Sequence, residues 1–179
     1  MGLGGVGLSA VMGAKIQNCR TIIGLDRVES RLKLAKELGA THVIDGSKLG
    51  DKSLVEAIRE LSDRIGPSIC VDTTGVPALT KAGIECIRRR GKFVQVGSSP
   101  FDFDLDVNMF SFMVSGKQII GAVEGHAYPP EYVPKMVQWY REGRFPIDRL
   151  MKLVPADDFE KALQEMHSGE TIKPILMWS

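Results

Sequence analysis

The chain has 179 residues, with 23 lysines and arginines against 22 aspartates and glutamates, for a formal net charge of +1. That balance gives no electrostatic case for nucleic acid or an anionic membrane as partner, and no apolar run approaches the roughly 20 residues of a bilayer-spanning helix. The length suits one domain with a sizeable core. The N-terminus lacks the basic stretch of a secretory signal. Cys19, Cys70 and Cys86 are widely spaced and odd in number, with no C-x-x-C, which favours reduced thiols in a cytoplasmic compartment.

The first element in the chain is Gly2-Leu3-Gly4-Gly5-Val6-Gly7, a G-x-G-x-x-G turn. Such a turn follows a strand and opens a helix, but only Met1 precedes it, so the chain reads as starting at the end of its own first strand. A helix of small and apolar residues is expected from Gly5 to about Asn18. Thr21-Ile22-Ile23-Gly24-Leu25, ending at Asp26, has the continuous apolar character of a buried parallel strand. Glu29 to Leu38 is amphipathic and stops at Gly39, a helix C-cap. Further strands are expected at His42-Val43-Ile44, Ile69-Cys70-Val71, Phe93 to Gly97 and Lys117 to Val123. Helices are expected over Ser53 to Arg64, Pro77 to Arg88 and Glu131 to Arg141. Strand and helix alternate through short loops, which implies βα units on a parallel sheet with helices on both faces. The fold class is therefore α/β, a doubly wound parallel sheet of Rossmann type lacking its first strand. In that fold the first strand is central, so an open seam is expected beside the strands at Ile22 and Val71, exposed to pairing with other chains. The last stretch reads as a β-α-β return segment: Met151 to Val154, a helix from Ala156 to Met166, then Lys173 to Trp178.

The chemistry concentrates at the glycine turn. Gly2 permits the tight bend, Gly4 lets backbone approach a pyrophosphate, and Gly7 lets the helix lie close on the sheet. The N–H groups near Gly5 and Val6 then face the anion at a helix N-terminus. Asp26 ends the next strand about 20 residues on, where a carboxylate accepts hydrogen bonds from the adenosine ribose. It repels a 2′-phosphate and so favours NAD over NADP, an argument softened by Arg27 and Arg31, since guanidinium groups bind phosphate. Thr73-Thr74-Gly75 and Val96-Gly97 end strands on the same edge and either line the cofactor crevice or are simple turns. Cys70 and Cys86 read as core packing, Cys19 as semi-exposed. His42, His126 and His167 are scattered and no H-E-x-x-H occurs, so no metal site is expected. His126 lies at the cofactor edge, either as a base or merely solvated. No lysine follows a tyrosine at four residues, as a short-chain reductase requires, and no G-x-S-x-G elbow occurs. Arg88-Arg89-Arg90 reads as charge at a helix C-terminus.

These residues resemble the medium-chain, zinc-type alcohol dehydrogenases along nearly the whole chain. The agreement runs through Gly2 to Ala10, Ile22 to Asp26, Ala35-Lys36-Glu37-Leu38-Gly39-Ala40-Thr41, Gly121-Ala122-Val123 and Ser168-Gly169-Glu170-Thr171-Ile172-Lys173. Val123-Glu124-Gly125 and Glu142-Gly143-Arg144-Phe145-Pro146 are most similar to the aryl-alcohol branch. The resemblance implies that Gly2, Gly4, Gly5, Val6 and Gly7 cradle the pyrophosphate of NAD. It implies that Asp26 holds the adenosine ribose with Arg31 as a basic residue beside it, and that Val96 and Ser98 contribute to the nicotinamide pocket, while Thr73 enters the site only through the strand-end reading above. Lys173 falls where the family has a cation near the pyrophosphate. The family's dimer contact falls at 101–123, which implies a homo-oligomer. The family's zinc ligands and proton relay lie in an N-terminal half with no counterpart here. Residues 1–146 are therefore expected to form the dinucleotide-binding domain and 147–179 a segment that packs with the catalytic half. Three readings stay open: the cofactor half of an NAD-dependent alcohol dehydrogenase, inactive alone; a non-catalytic NAD-binding or partner-binding module; and a methyltransferase, whose cofactor also meets a glycine turn and an acidic strand end.

Overall fold

The computed structural model describes residues 1–178. In chain order the elements are α1 (Gly5–Ile16), β1 (Ile23–Asp26), α2 (Glu29–Leu38), β2 (His42–Asp45), α3 (Leu54–Glu60), β3 (Ile69–Asp72) and α4 (Pro77–Cys86). They continue with β4 (Lys92–Gln95), α5 (Met109–Ser115), β5 (Gln118–Gly121), α6 (Pro129–Arg141), β6 (Met151–Pro155), α7 (Phe159–Ser168) and β7 (Lys173–Met177). Every strand pairing is parallel: β1 with β2, β3 with β4, β4 with β5, and β6 with β7.

Helices cover both faces of the sheet, and each face has its own core. On one face α1 and α2 bury Leu8, Val11, Met12, Leu32, Ala35 and Leu38, and Phe145 and Leu150 pack into the same cluster. The other core joins Leu25, Ile44, Ile58, Cys70, Cys86, Ile87 and Phe93 from the strands, α3 and the α4 end. This is the doubly wound arrangement that the alternation of apolar strands and amphipathic helices implies.

Local chemistry sets the helix limits. Ser53 caps α3 in a capping box, accepting from the Glu56 N–H while the Glu56 carboxylate accepts from the Ser53 N–H. The helix stops at Glu60, short of Arg64, because Asp63 and Arg64 take φ values of 56° and 62°. α4 stops at Cys86, where Ile87 turns extended. α6 starts at Pro129, two residues earlier than the sequence pattern suggested, since proline suits a first helical turn. The C-terminal helix begins as a 3-10 turn, Ala156–Asp158, before α7. One helix, α5, escaped the sequence reading. Asn108 caps it by accepting the Ser111 N–H, and Gly116 ends it in left-handed conformation.

The sheet is divided where the seam was expected. Among the described residues β1 and β3 share no ladder. Their backbones are linked, among the described residues, through Met1 and Gly2. The Met1 amino group donates to the Val71 carbonyl at 2.7 Å, the Thr73 N–H donates to the Met1 carbonyl at 3.0 Å, and the Gly2 N–H donates to the Leu25 carbonyl at 2.9 Å. At the far end of the seam, Arg20 and Asp63 pair at 2.9 Å on the surface.

Candidate functional site

The C-terminal ends of β1, β3 and β4 form one edge, and the glycine turn lies across it. Gly4 caps α1 with extended backbone, no side chain bonds the first N–H groups, and the first turn holds no acid. This helix start therefore presents unshielded positive potential to an anion. Two glycines have opposite surroundings. A Cβ on Gly7 would lie 1.8 Å from the Gly2 carbonyl oxygen, whereas one on Gly4 meets nothing within 4 Å. Gly7 is therefore needed for the close packing of the turn, while Gly4 and Gly5 leave open backbone that a pyrophosphate can approach. Val6 is exposed beside them.

Asp26 is half-buried at the end of β1. One carboxylate oxygen accepts the Leu3 N–H at 2.7 Å. The other accepts the Arg27 N–H at 2.7 Å and the Val28 N–H at 3.0 Å. A carboxylate has about four lone-pair sites, so the oxygen facing the glycine turn keeps acceptor capacity for a ribose hydroxyl. Nearby on this edge, Asp45 ends β2. Hydrogen bonds from Ser47, with Lys48 alongside, hold its carboxyl down at about 2.

The loop after β3 is organised by a residue that sequence reading passed over. Asp72 is fully buried. Its side chain accepts from the Thr74 N–H at 2.9 Å, the Thr74 hydroxyl at 2.6 Å and the Thr80 hydroxyl at 3.1 Å. Its carbonyl accepts from the N–H groups of Val96 and Gly97, both at 2.9 Å. The D-T-T sequence carried that signal, because aspartate accepts the N–H two residues on in an Asx turn. Thr73 points the other way, its hydroxyl donating to the Met1 carbonyl at 3.0 Å. The loops after β3 and β4 then interlock: a Cβ on Gly97 would lie 2.5 Å from the Gly75 nitrogen. Thr73 and Val96 are half-buried and Ser98 is exposed, all at the mouth of this edge.

The C-terminal segment reaches the same region through Arg31. A pocket of about 210 Å³ is lined by Ser30 and Arg31 of α2 together with residues 169–172. The Arg31 Nε is buried without a hydrogen-bond partner among the described residues. Lys173 follows directly, exposed at the start of β7. His126 lies exposed in the 3-10 turn Glu124–His126. Among the described residues no three His, Cys, Asp or Glu side chains converge as metal ligands.

The profile of the zinc-binding dehydrogenases matches residues 5–142. The chain belongs to the zinc-binding dehydrogenase family. It is 33% identical over 177 residues to geraniol dehydrogenase of Castellaniella defragrans, covering 99% of this chain and 47% of that protein. It is 30% identical to a class-3 alcohol dehydrogenase of Cereibacter sphaeroides, covering 99% and 48%. Among solved structures, benzyl alcohol dehydrogenase of Acinetobacter calcoaceticus superposes with a TM-score of 0.93 at 37% identity, covering 99% of this chain and 48% of that one. A zinc-binding-domain alcohol dehydrogenase of Burkholderia ambifaria superposes at 0.92 with 40% identity, covering 98% and 46%. The chain thus spans about half the length of the curated relatives it matches, and it corresponds to the C-terminal, Rossmann-type half of these dehydrogenases. The zinc in the family's name has no fitting ligand set among these residues. A dinucleotide does fit, on the open glycine backbone and the uncapped α1. No helix of the described residues is long and apolar enough to cross a membrane.

Proposed function

We propose that this chain is the cofactor half of an NAD-dependent alcohol dehydrogenase, and that oxidation of an alcohol to an aldehyde or ketone requires groups beyond these residues. The observation that carries the reading is the open start of α1 beside Asp26, with Leu3 of the glycine turn bonded to the Asp26 carboxylate. The N–H groups of Gly5 to Gly7 receive the pyrophosphate, and Asp26 with Arg31 orients the adenosine ribose. Thr73, Val96 and Ser98 border the nicotinamide, which when bound takes up a hydride from the alcohol. Lys173 supplies a cation near the pyrophosphate. NAD is favoured over NADP because the Asp26 carboxylate repels a 2′-phosphate. An aryl or similarly apolar alcohol is the substrate class, a reading that rests on the likeness to the benzyl alcohol enzyme.

Two further features fit this reading. Phe101, Met109, Phe110, Met113, Val114 and Val123 are exposed on and around α5 and β5, as a homodimer face requires. Residues 147–179, with Leu153, Trp178 and Met177 exposed, suit packing against a catalytic half. The three free cysteines suit a reducing, cytoplasmic compartment.

Calorimetric titration of the purified chain with NAD and NADP tests the reading. Saturable binding that favours NAD, without alcohol oxidation, is expected. Absence of dinucleotide binding, or tighter binding of S-adenosylmethionine, would refute it.

A further inference from the structure

Cys70 of β3 and Cys86 at the end of α4 are buried in one core cluster, and the proposed cofactor chemistry uses neither. Gly83 stands one helical turn before Cys86, on the same face of α4. A Cβ on Gly83 would lie 3.2 Å from the Cys70 Sγ and 2.5 Å from the Phe93 ring. Glycine here lets the helix settle closely onto β3 and β4. The Cys86 thiol donates to the Gly83 carbonyl at 3.2 Å, and it is also in hydrogen-bond contact with the Cys70 sulfur. A disulfide requires two cysteines whose side chains point at each other, and a thiol–thiol hydrogen bond is that arrangement before the covalent bond forms.

The two thiols are not equivalent. Cys86 is fully buried, whereas Cys70 keeps 8% of its surface exposed. The hydrogen bond from Cys86 lowers the Cys70 thiol from its ordinary value. The same bond, and then burial, raises Cys86. Cys70 is therefore the partner that forms a thiolate, and Cys86 the one that keeps its proton. Two cations stand at the α4 end beside Cys86. Lys117 donates to the Ile84 and Glu85 carbonyls at 2.7 and 3.0 Å, and Arg59 donates to the Glu85 carbonyl at 2.8 Å. Their charge favours a thiolate at Cys86 when its proton leaves.

We propose that Cys70 and Cys86 form an oxidation site that consumes one hydrogen peroxide and closes a reversible disulfide between β3 and α4. The Cys70 thiolate attacks one peroxide oxygen and breaks the O–O bond. The products are a sulfenic acid on Cys70 and a hydroxide, which takes up the proton that Cys70 had released and becomes water. The Cys86 sulfur then attacks the Cys70 sulfur. The S–O bond breaks, and the hydroxyl leaves with the Cys86 proton as a second water. Two thiols lose two electrons and two protons, and the peroxide gains both. Because Cys86 is already in contact, the sulfenic acid is captured before a second peroxide carries it to the irreversible sulfinic acid. A dithiol reductant restores both thiols by exchange and is itself oxidised to a disulfide.

The test uses the full chain carrying Cys19→Ser, which removes the exposed thiol. The native protein is treated with hydrogen peroxide, then denatured, alkylated and measured by mass spectrometry. The expected result is the loss of two hydrogens and of both alkylation sites, with the Cys70 and Cys86 peptides joined, all reversed by dithiothreitol. With Cys86→Ser added, the sulfenic acid on Cys70 persists and is trapped by dimedone. That trapping is expected to exceed trapping at Cys86 in the Cys70→Ser counterpart at least ~10-fold. Sulfinic acids without a joined peptide, two thiols still open to alkylation, or joining only in the denatured chain would each overturn the proposal. Equal trapping at the two cysteines would also overturn it, since Cys70 would not be the attacking thiol. None of these readouts requires a dinucleotide, so the outcome is separate from that of the titration above.

Discussion

The carboxylate of Asp26 accepts the backbone N–H of Leu3 at 2.7 Å, tying the end of β1 to the middle of the glycine turn. One side chain therefore positions the turn and, in the proposed reading, also meets the ribose. Asp26→Ala removes both contributions. Hydrogen bonds to charged groups contribute about 1.5–3 kcal/mol, so NAD affinity is expected to fall about 10- to 100-fold. Asp26→Asn keeps an acceptor for Leu3 but loses the charge, and is expected to narrow the preference for NAD over NADP. Calorimetry with both dinucleotides reads the two effects.

Gly4 and Gly7 separate ligand approach from packing. Gly4→Ala places its methyl in open space, so the melting temperature is expected to stay near that of the parent while NAD binding weakens. Gly7→Ala drives a Cβ to within 1.8 Å of the Gly2 oxygen. Overpacking costs about 1–3 kcal/mol or more, so this variant is expected to melt well below the parent. Equal melting temperatures for the two variants would contradict the geometry of the turn.

Cysteine reactivity follows burial. Cys19 is exposed, while Cys70 and Cys86 are buried. A hydrogen bond with Cys70, and then burial, push the Cys86 thiol up, which suppresses the reactive thiolate. A thiol-alkylating reagent is expected to label Cys19 alone in the native chain, and all three cysteines once the chain is denatured. Mass spectrometry of peptides checks the assignment.

Acid sensitivity is expected from the turn after β2. Asp45 drops from an ordinary 3.8 to about 2 because Ser47 and Lys48 stabilise its charged form. A carboxyl lowered by folding contributes stability that is complete above its unfolded value and is lost as the pH falls through the folded one. The contribution is thus present above about pH 4 and disappears toward pH 2. Asp45→Ala is expected to flatten that part of the stability curve and leave neutral-pH binding unchanged, as acid titration followed by circular dichroism will show.

The glycine turn and Asp26 were legible because backbone chemistry restricts them. Only glycine tolerates the Gly2–Gly7 approach, and an apolar run ending in a carboxylate marks a buried strand edge. α5 was not legible, because Met109 to Ser115 has no buried residue and so no amphipathic pattern to read. Asp72 was hidden for a related reason: a buried carboxylate satisfied by Thr74 and Thr80 looks in sequence like any strand-ending acid. Arg31 and residues 169–172 lie far apart in the chain, and no local signal announces their shared pocket.

The sequence by itself determined the alternating βα plan, the parallel pairing and the position of the glycine turn, because strand burial, helix amphipathicity and glycine geometry are local properties. Tertiary structure alone decided that Met1 and Gly2 bond to both Val71 and Leu25, that Asp72 locks two loops together, and that the C-terminal segment closes onto Arg31. Those contacts join residues distant in sequence, and they form only where folded strands and helices bring backbone donors and acceptors within hydrogen-bonding reach.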